Sequence, residues 1–318
     1  MAKVFGIKRY IASSLWCLGE TYGFFKESRY DAYNHLQEAY ELFNTLLPGD
    51  HELQRLCCLC GIDLVVECIA LIDHDKAVSL ARDVEKRCAA VSDDLIHSQS
   101  LMVLGMALLC PGTSQDRQEA LRHMEHAKLK AVGSDYHFGA ACFVIGTAYY
   151  YGNRLPEALD ALKQAWELIE SSNSLVNQAE SSLLFSTVLF NANRDQEAWK
   201  YLELSLMKFS HLGNQRYTAI VLEYMGYGYL RRGDYLNAYG AYEAAAEKFI
   251  GTLKEESDSA RCRDNMAKIE VKRRNPGLNV GFEKPFNDKD RASLFYPAVQ
   301  DVSGIPGDTV LLGGISYT

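Results

Sequence analysis

Leu222–Tyr229 reads LEYMGYGY: a large residue, two positions, a second large residue, a small one, two positions, then a ring. Large residues at steps of three and four fall on one helix face. A glycine beside them removes side-chain bulk where a second helix can approach. The same arrangement recurs five more times, with Leu also allowed at the last position. The segments are Leu15–Tyr22 (LWCLGETY), Cys57–Leu64 (CCLCGIDL), Leu101–Leu108 (LMVLGMAL), Cys142–Tyr149 (CFVIGTAY) and Ser182–Leu189 (SLLFSTVL). Their small residues stand at 19, 61, 105, 146, 186 and 226, at steps of 42, 44, 41, 40 and 40. So even a recurrence marks a repeat whose units stack on one another to bury a shared core.

Each signature is followed by a second helical segment, most often with small residues seven apart: Ala32 and Ala39, Ala120 and Ala127, Ala158 and Ala165, Ala238 and Ala245. Seven residues is close to two helical turns, so both members of each pair share a face. Turn signals separate the two segments, as in Gly152-Asn153 ahead of Pro156 and in Arg232-Gly233-Asp234. Pro156 suits a first helical turn, where its missing N–H leaves no bond unmade. Strand signals are absent from residues 1–274, so the expected fold is all-α, with helix pairs side by side.

This pattern resembles the tetratricopeptide repeat, over roughly residues 12–250. The last copy carries the resemblance best, through Leu222, Gly226, Tyr229, Gly233, Tyr235, Ala238 and Ala245. The second copy departs from it, with Val84 where a small residue belongs and a longer link expected between its helices. The fifth has Ser186 and Ser205 at the small positions. The resemblance implies a right-handed superhelical solenoid of about six helix pairs, with a capping helix near 256–274. A period near forty is longer than the family's usual one. In this the chain is similar to the repeat arrays of some signalling NTPases and of kinesin light chains.

In that family the first helices of successive pairs line a concave face that holds partners. Carried over position by position, this inner surface is expected to present Trp16, Glu20 and Phe24, then Cys58 and Ile62, then Met102 and Met106. Phe143, Tyr150 and Tyr151 follow, then Leu183 and Phe190, and finally Glu223, Tyr227 and Arg231. Members that bind acidic chaperone tails clamp a carboxylate with Lys, Asn and Arg. Here only Arg55 and Arg231 stand at such positions, so the expected ligand is an apolar or amphipathic protein segment. The function implied is a non-enzymatic interaction scaffold or adaptor without a cofactor. The alternatives are a stand-alone sensor module derived from a signalling NTPase and a metal or redox protein centred on the cysteine and histidine clusters.

The cysteine-rich stretch Leu56–Cys68 (LCCLCGIDLVVEC) reads most simply within the same repeat. Cys57 and Cys60 take the two large core positions, and Cys142 takes one of them again. Free cysteine packs as a small hydrophobe. A zinc site would need a second CxxC or a spaced His pair, and a thioredoxin-like motif would need flanking strands. Glu119, His123 and His126 share one helix at metal-compatible steps, without the HExxH pattern that would support a ligand set. Arg232-Gly233-Asp234 is read as a turn and Asp73 as a helix N-cap. No Gly-Lys pair exists for a phosphate-binding loop, and no nucleophile motif is found.

The formal net charge of −8 argues against nucleic acid or an anionic membrane surface as the main partner. Nine cysteines, an odd number in a long chain, read as reduced thiols of a cytoplasmic protein. The N-terminal MAKVFGIKRYIASSLWCLGE is not expected to be a leader, because Ser13, Ser14 and Glu20 interrupt its apolar run. After the helical array (1–274), residues 275–318 hold four of the seven prolines and are expected to form a flexible tail. Leu294-Phe295-Tyr296-Pro297 is apolar for such a tail, which suggests that it docks back onto the array.

Overall fold

The computed structural model describes residues 2–25, 29–46, 50–71, 73–109, 113–172, 174–251 and 256–285. Among them are thirteen helices and no strand. The six pairs are α1 (Ala2–Phe25) with α2 (Arg29–Leu46), α3 (His51–Ala70) with α4 (His74–Ala90), α5 (Asp94–Leu109) with α6 (Ser114–Lys130), α7 (Asp135–Tyr151) with α8 (Leu155–Glu170), α9 (Leu175–Asn191) with α10 (Asp195–His211), and α11 (Gln215–Arg231) with α12 (Tyr235–Gly251). α13 (Glu256–Arg274) closes the array. The long link expected in the second repeat is not there. Only residues 71–73 separate its helices, and the extra length lies in the 20-residue α3.

The turns form where the sequence supplies their chemistry. Asp73, Ser134, Ser174, Asn214 and Asp234 each accept a backbone N–H of the following helix through the side chain, which satisfies donors that a helix start leaves open. Asn153 and Gly233 occupy left-handed backbone at φ 56° and 72°, a conformation that Asn and Gly tolerate best. Pro156 sits in the first turn of α8.

Each even helix buries one stripe. In α8 it is Ala158, Leu162, Ala165 and Ile169, in α12 Ala238, Tyr242, Ala245 and Phe249, and in α2 Ala32, Leu36, Ala39 and Phe43. Small and large residues alternate along it, so two helices approach at the alanines and interlock at the large side chains. The signature glycines complete the fit. A Cβ on Gly19 would lie 2.6 Å from Leu36, one on Gly146 2.5 Å from Leu162, and one on Gly226 3.0 Å from the Tyr242 ring. Gly105 likewise faces Met124.

A substitution pair tests this close approach. Gly146→Ala is expected to destabilise the protein by ~1–3 kcal/mol in thermal or denaturant unfolding, because Leu162 is buried and its backbone N is also only 3.2 Å away. Gly105→Ala should cost less, since it meets the flexible end of Met124. Equal losses at both sites would count against helix approach as the reason for the glycines.

Among the odd helices α1 packs on α3, α3 on α5, α5 on α7 and α9 on α11, and side-chain hydrogen bonds join α7 to α9 and α11 to α13, whereas α4 reaches α6 through Arg82–Glu119 and α8 reaches α10 through Trp166 and Tyr201. The odd row is therefore the tighter, inner row. α5 from Ser98 to Leu109 and α9 from Asn177 to Phe190 are buried on every side. α1 by contrast exposes Ile7, Tyr10, Ile11 and Leu18.

Beyond α13 the chain turns at residues 275–278 and comes back. Lys272 Nζ donates to the Leu278 carbonyl at 2.7 Å. Phe282 packs beside Tyr235 and Pro285 is buried. The apolar segment at Phe295 and Tyr296 lies outside the described residues.

Candidate functional site: the inner face of the solenoid

Polar side chains join α1 to α3 and each odd helix from α5 onward to the next. Trp16 Nε1 on α1 donates to Asp63 of α3 at 2.7 Å. Gln99 on α5 and His137 on α7 lie 2.9 Å apart, and the other His137 ring nitrogen is 2.7 Å from Ser134 Oγ. Asn177 on α9 donates to the Tyr136 hydroxyl of α7, and Asn191 donates to that of Tyr150, both at 2.6 Å. The carboxylate of Glu180 on α9 meets the phenol of Tyr217 on α11. Burial first, and that carboxylate second, push the phenol well above its ordinary value. Most of these groups are buried, so each rung is shielded from water and fixes the spacing of two helices.

The ladder ends in two further rungs. Glu223 of α11, fully buried, receives both nitrogens of one edge of the Arg261 guanidinium from α13, at 2.6 and 2.8 Å. Arg261 also pairs with Asp258 at 2.8 Å. Burial raises the Glu223 carboxyl and Arg261 opposes that rise. One turn further along α13, Asn265 uses both ends of its amide on one residue. It donates to the Glu283 carbonyl at 2.9 Å and accepts the Glu283 N–H at 2.8 Å.

The fifteen residues expected on the inner surface divide along this ladder. Phe143, Phe190 and Glu223 are fully buried and Trp16 nearly so, so these four are corrections to that expectation. Phe190 reaches across to Trp199 of α10 and the backbone of Gly228 in α11, filling the junction of three helices. Glu20, Tyr150, Tyr151 and Tyr227 are half-buried. Arg231 turns to the α9–α10 junction, where it binds Asp195 and Asn193. The Phe24 side chain lies outside the described residues. Ile62, Met102, Met106 and Leu183 are buried as well. The positions between the large core residues thus face a second layer of protein, because each odd helix touches the odd helices beside it.

The cysteines follow the same geometry. Cys57 and Cys60 point to α2, their thiols reaching Asn44 and the Leu36 carbonyl. Cys58 does not face the inner surface. It is buried against Cys88 of α4, whose hydrogen bond is the main cause of its lowered pKa. Burial pushes the Cys57 thiol up to about 12. Of the described cysteines, Cys17 is exposed and seven are buried. Brief alkylation of native protein, mapped by mass spectrometry, is therefore expected to mark Cys17 well before those seven, which should react together on unfolding. Early labelling of Cys58 or Cys88 would overturn their burial between α3 and α4. Glu119 and the two nearby histidines do not converge. His123 leans on Glu119, which also binds Arg82, whereas His126 packs edge-on against His97.

No protein-family model matches the sequence, and no curated protein does. Solved structures do match its fold. A Rap protein complexed with competence and sporulation factor superposes with a TM-score of 0.57 at 15% identity, over 81% of this chain and 74% of that one. Aspartyl phosphate phosphatase F from Bacillus subtilis gives 0.51 at 15% identity, over 84% and 71%. A signal transduction ATPase with numerous domains and a tetratricopeptide repeat sensor, from Pyrococcus horikoshii, gives 0.55 at 15% identity, over 88% of this chain and 50% of that one. The chain therefore carries the tetratricopeptide-repeat fold.

Proposed function

We propose that this protein is a non-enzymatic, cytoplasmic interaction scaffold that binds a protein or peptide segment along the inner row of its solenoid. The observation that carries the reading is the row itself: half-buried tyrosines Tyr150, Tyr151 and Tyr227 beside a ladder of side-chain amides and hydroxyls. Aromatic rings supply contact area at little cost in side-chain entropy, and the ladder behind them holds the helices that carry the rings at fixed spacing. The likeness to a Rap protein complexed with a sporulation factor supports a protein or peptide ligand of this kind. A second reading, a sensor module related to those of signalling ATPases, rests on the match to the Pyrococcus horikoshii protein.

The test is capture of partners from native lysate by wild type and by a Tyr150→Ala, Tyr151→Ala, Tyr227→Ala variant whose circular dichroism matches wild type. A partner retained by wild type and lost by the variant is expected. Equal retention would move binding away from the inner row. Phe143 and Phe190 do not belong in such a variant, because they are core.

A further inference from the structure

We infer that the outward face of α1 is an interface with a second copy of this chain, in which two α1 helices lie antiparallel about a twofold axis level with Ala12 and Ser13. The face is apolar and regular. Among the described residues α1 exposes four large apolar side chains, Ile7, Tyr10, Ile11 and Leu18, and no other helix exposes more than two. Ile7, Ile11, Ser14, Leu18 and Thr21 follow one another at steps of four, three, four and three, the spacing of a seam between two paired helices. Tyr10 and Cys17, seven apart, border the seam and are exposed as well. The seam points away from the array, because α1 packs inward through Ala12, Trp16, Gly19 and Gly23.

Size and charge make the face complementary to itself. In the antiparallel register Ile7 meets Leu18 of the other copy at each end, and Ile11 meets its Ser14 on either side of the axis. Large residues thus close the ends, and the small serine leaves room for Ile11 at the centre. Lys8 and Arg9 lie in the first half of α1 and Glu20 in the second. Antiparallel pairing sets the basic half of each helix beside the half carrying Glu20, and it opposes the two helix dipoles. It also keeps the two copies of Lys8 roughly 14 Å apart along the axis, where parallel pairing would place them side by side.

The two ends of the solenoid differ, and this sets the number of copies. At the far end α13 turns Ser257, Ala260, Arg263, Glu270 and Arg274 outward, the polar face that closes a repeat array. Its one exposed large apolar side chain is Val271. An array with a single apolar end pairs through that end and stops at two, whereas two such ends would build a filament. The seam is one helix wide, which places the interface below about 1,200 Å² in total, the range of weak and reversible association. The dimer therefore forms at micromolar rather than nanomolar concentration.

Sedimentation velocity of the full chain from ~0.1 to ~200 μM tests this, and a shift from monomer to dimer is expected. Ile11→Glu puts a charge into the seam and should raise the dissociation constant at least about 10-fold, with circular dichroism and unfolding unchanged. A second measurement does not depend on that variant. Along the paired helices the two residues at position 14 stand about 5 Å apart and the two at position 7 about 17 Å. In a Ser14→Cys, Cys17→Ser protein, a short bismaleimide should link position 14 to position 14 between copies, as mapped by mass spectrometry. In an Ile7→Cys, Cys17→Ser protein, position 7 should not be linked to itself. A monomer at every concentration would overturn the inference and leave the face to a different occupant. Assembly beyond two copies, a dimer indifferent to Ile11→Glu, or linkage of 7 to 7 would overturn it too. The inner-row tyrosine variant should dimerise like wild type, so the scaffold reading stands or falls separately.

Discussion

Replacing Arg261 with methionine is expected to destabilise the protein by ~3–5 kcal/mol at neutral pH, the usual cost of leaving a buried charge without its partner. Glu223 has no solvent exposure and takes two hydrogen bonds from Arg261. The pH dependence follows from the sign of the shift. Burial already places the folded carboxyl above its ordinary value, and removing Arg261 takes away the main opposing influence. A raised carboxyl binds protons more tightly when folded than when unfolded. Its stabilising contribution is complete below the unfolded pKa and is lost as pH rises through the folded one. The variant should thus be nearest to wild type in acid and furthest from it above neutrality. Asp258 and Glu283, the other acidic neighbours, push in the same direction. Adding Glu223→Gln to Arg261→Met should recover much of the loss and flatten the pH dependence. Urea unfolding of the three proteins across acidic and neutral pH measures both effects. No recovery by the double variant would mean that Arg261 acts through packing or Asp258 instead.

Phe190→Ala is expected to cost about as much, ~3–5 kcal/mol, for a different reason. The ring is 1% exposed and fills the junction of α9, α10 and α11, with Trp199 edge-on at 6.3 Å. Gly228 leaves room for it, as a Cβ there would come within 2.9 Å of the ring. Truncation removes the buried area and leaves a cavity that three helices close only in part. Tyr150→Ala, at a half-buried ring on the same row, should cost distinctly less. Chemical denaturation of both variants decides the matter. Comparable losses would place Tyr150 in the core too.

The fold was legible because the repeat writes its packing into residue size. The step from Gly146 to Leu162 recurs from Gly226 to Tyr242, and both prove to be points of helix contact. Turn and cap chemistry was legible at Asp73, Pro156 and Gly233 for similar reasons. The inner surface was not, because helix periodicity separates one face from another but does not count the layers packed on each. Phe190 occupies a non-core position of a single helix pair and is covered by α11 of the next pair, whereas Cys58 is covered by α4 of its own pair. The polar ladder does leave a trace in the sequence, fainter than the glycines. Gln99, His137 and Asn177 stand 38 and 40 residues apart, in the first two turns of otherwise apolar helices. Buried polar residues at the repeat spacing point to partners in the next repeat.

The rungs between the odd helices join residues only 37 to 47 positions apart. Contacts of such short range close small loops, which favours rapid folding, and they can form as synthesis proceeds. Each helix pair can settle on the one before it while the ribosome is still adding the next.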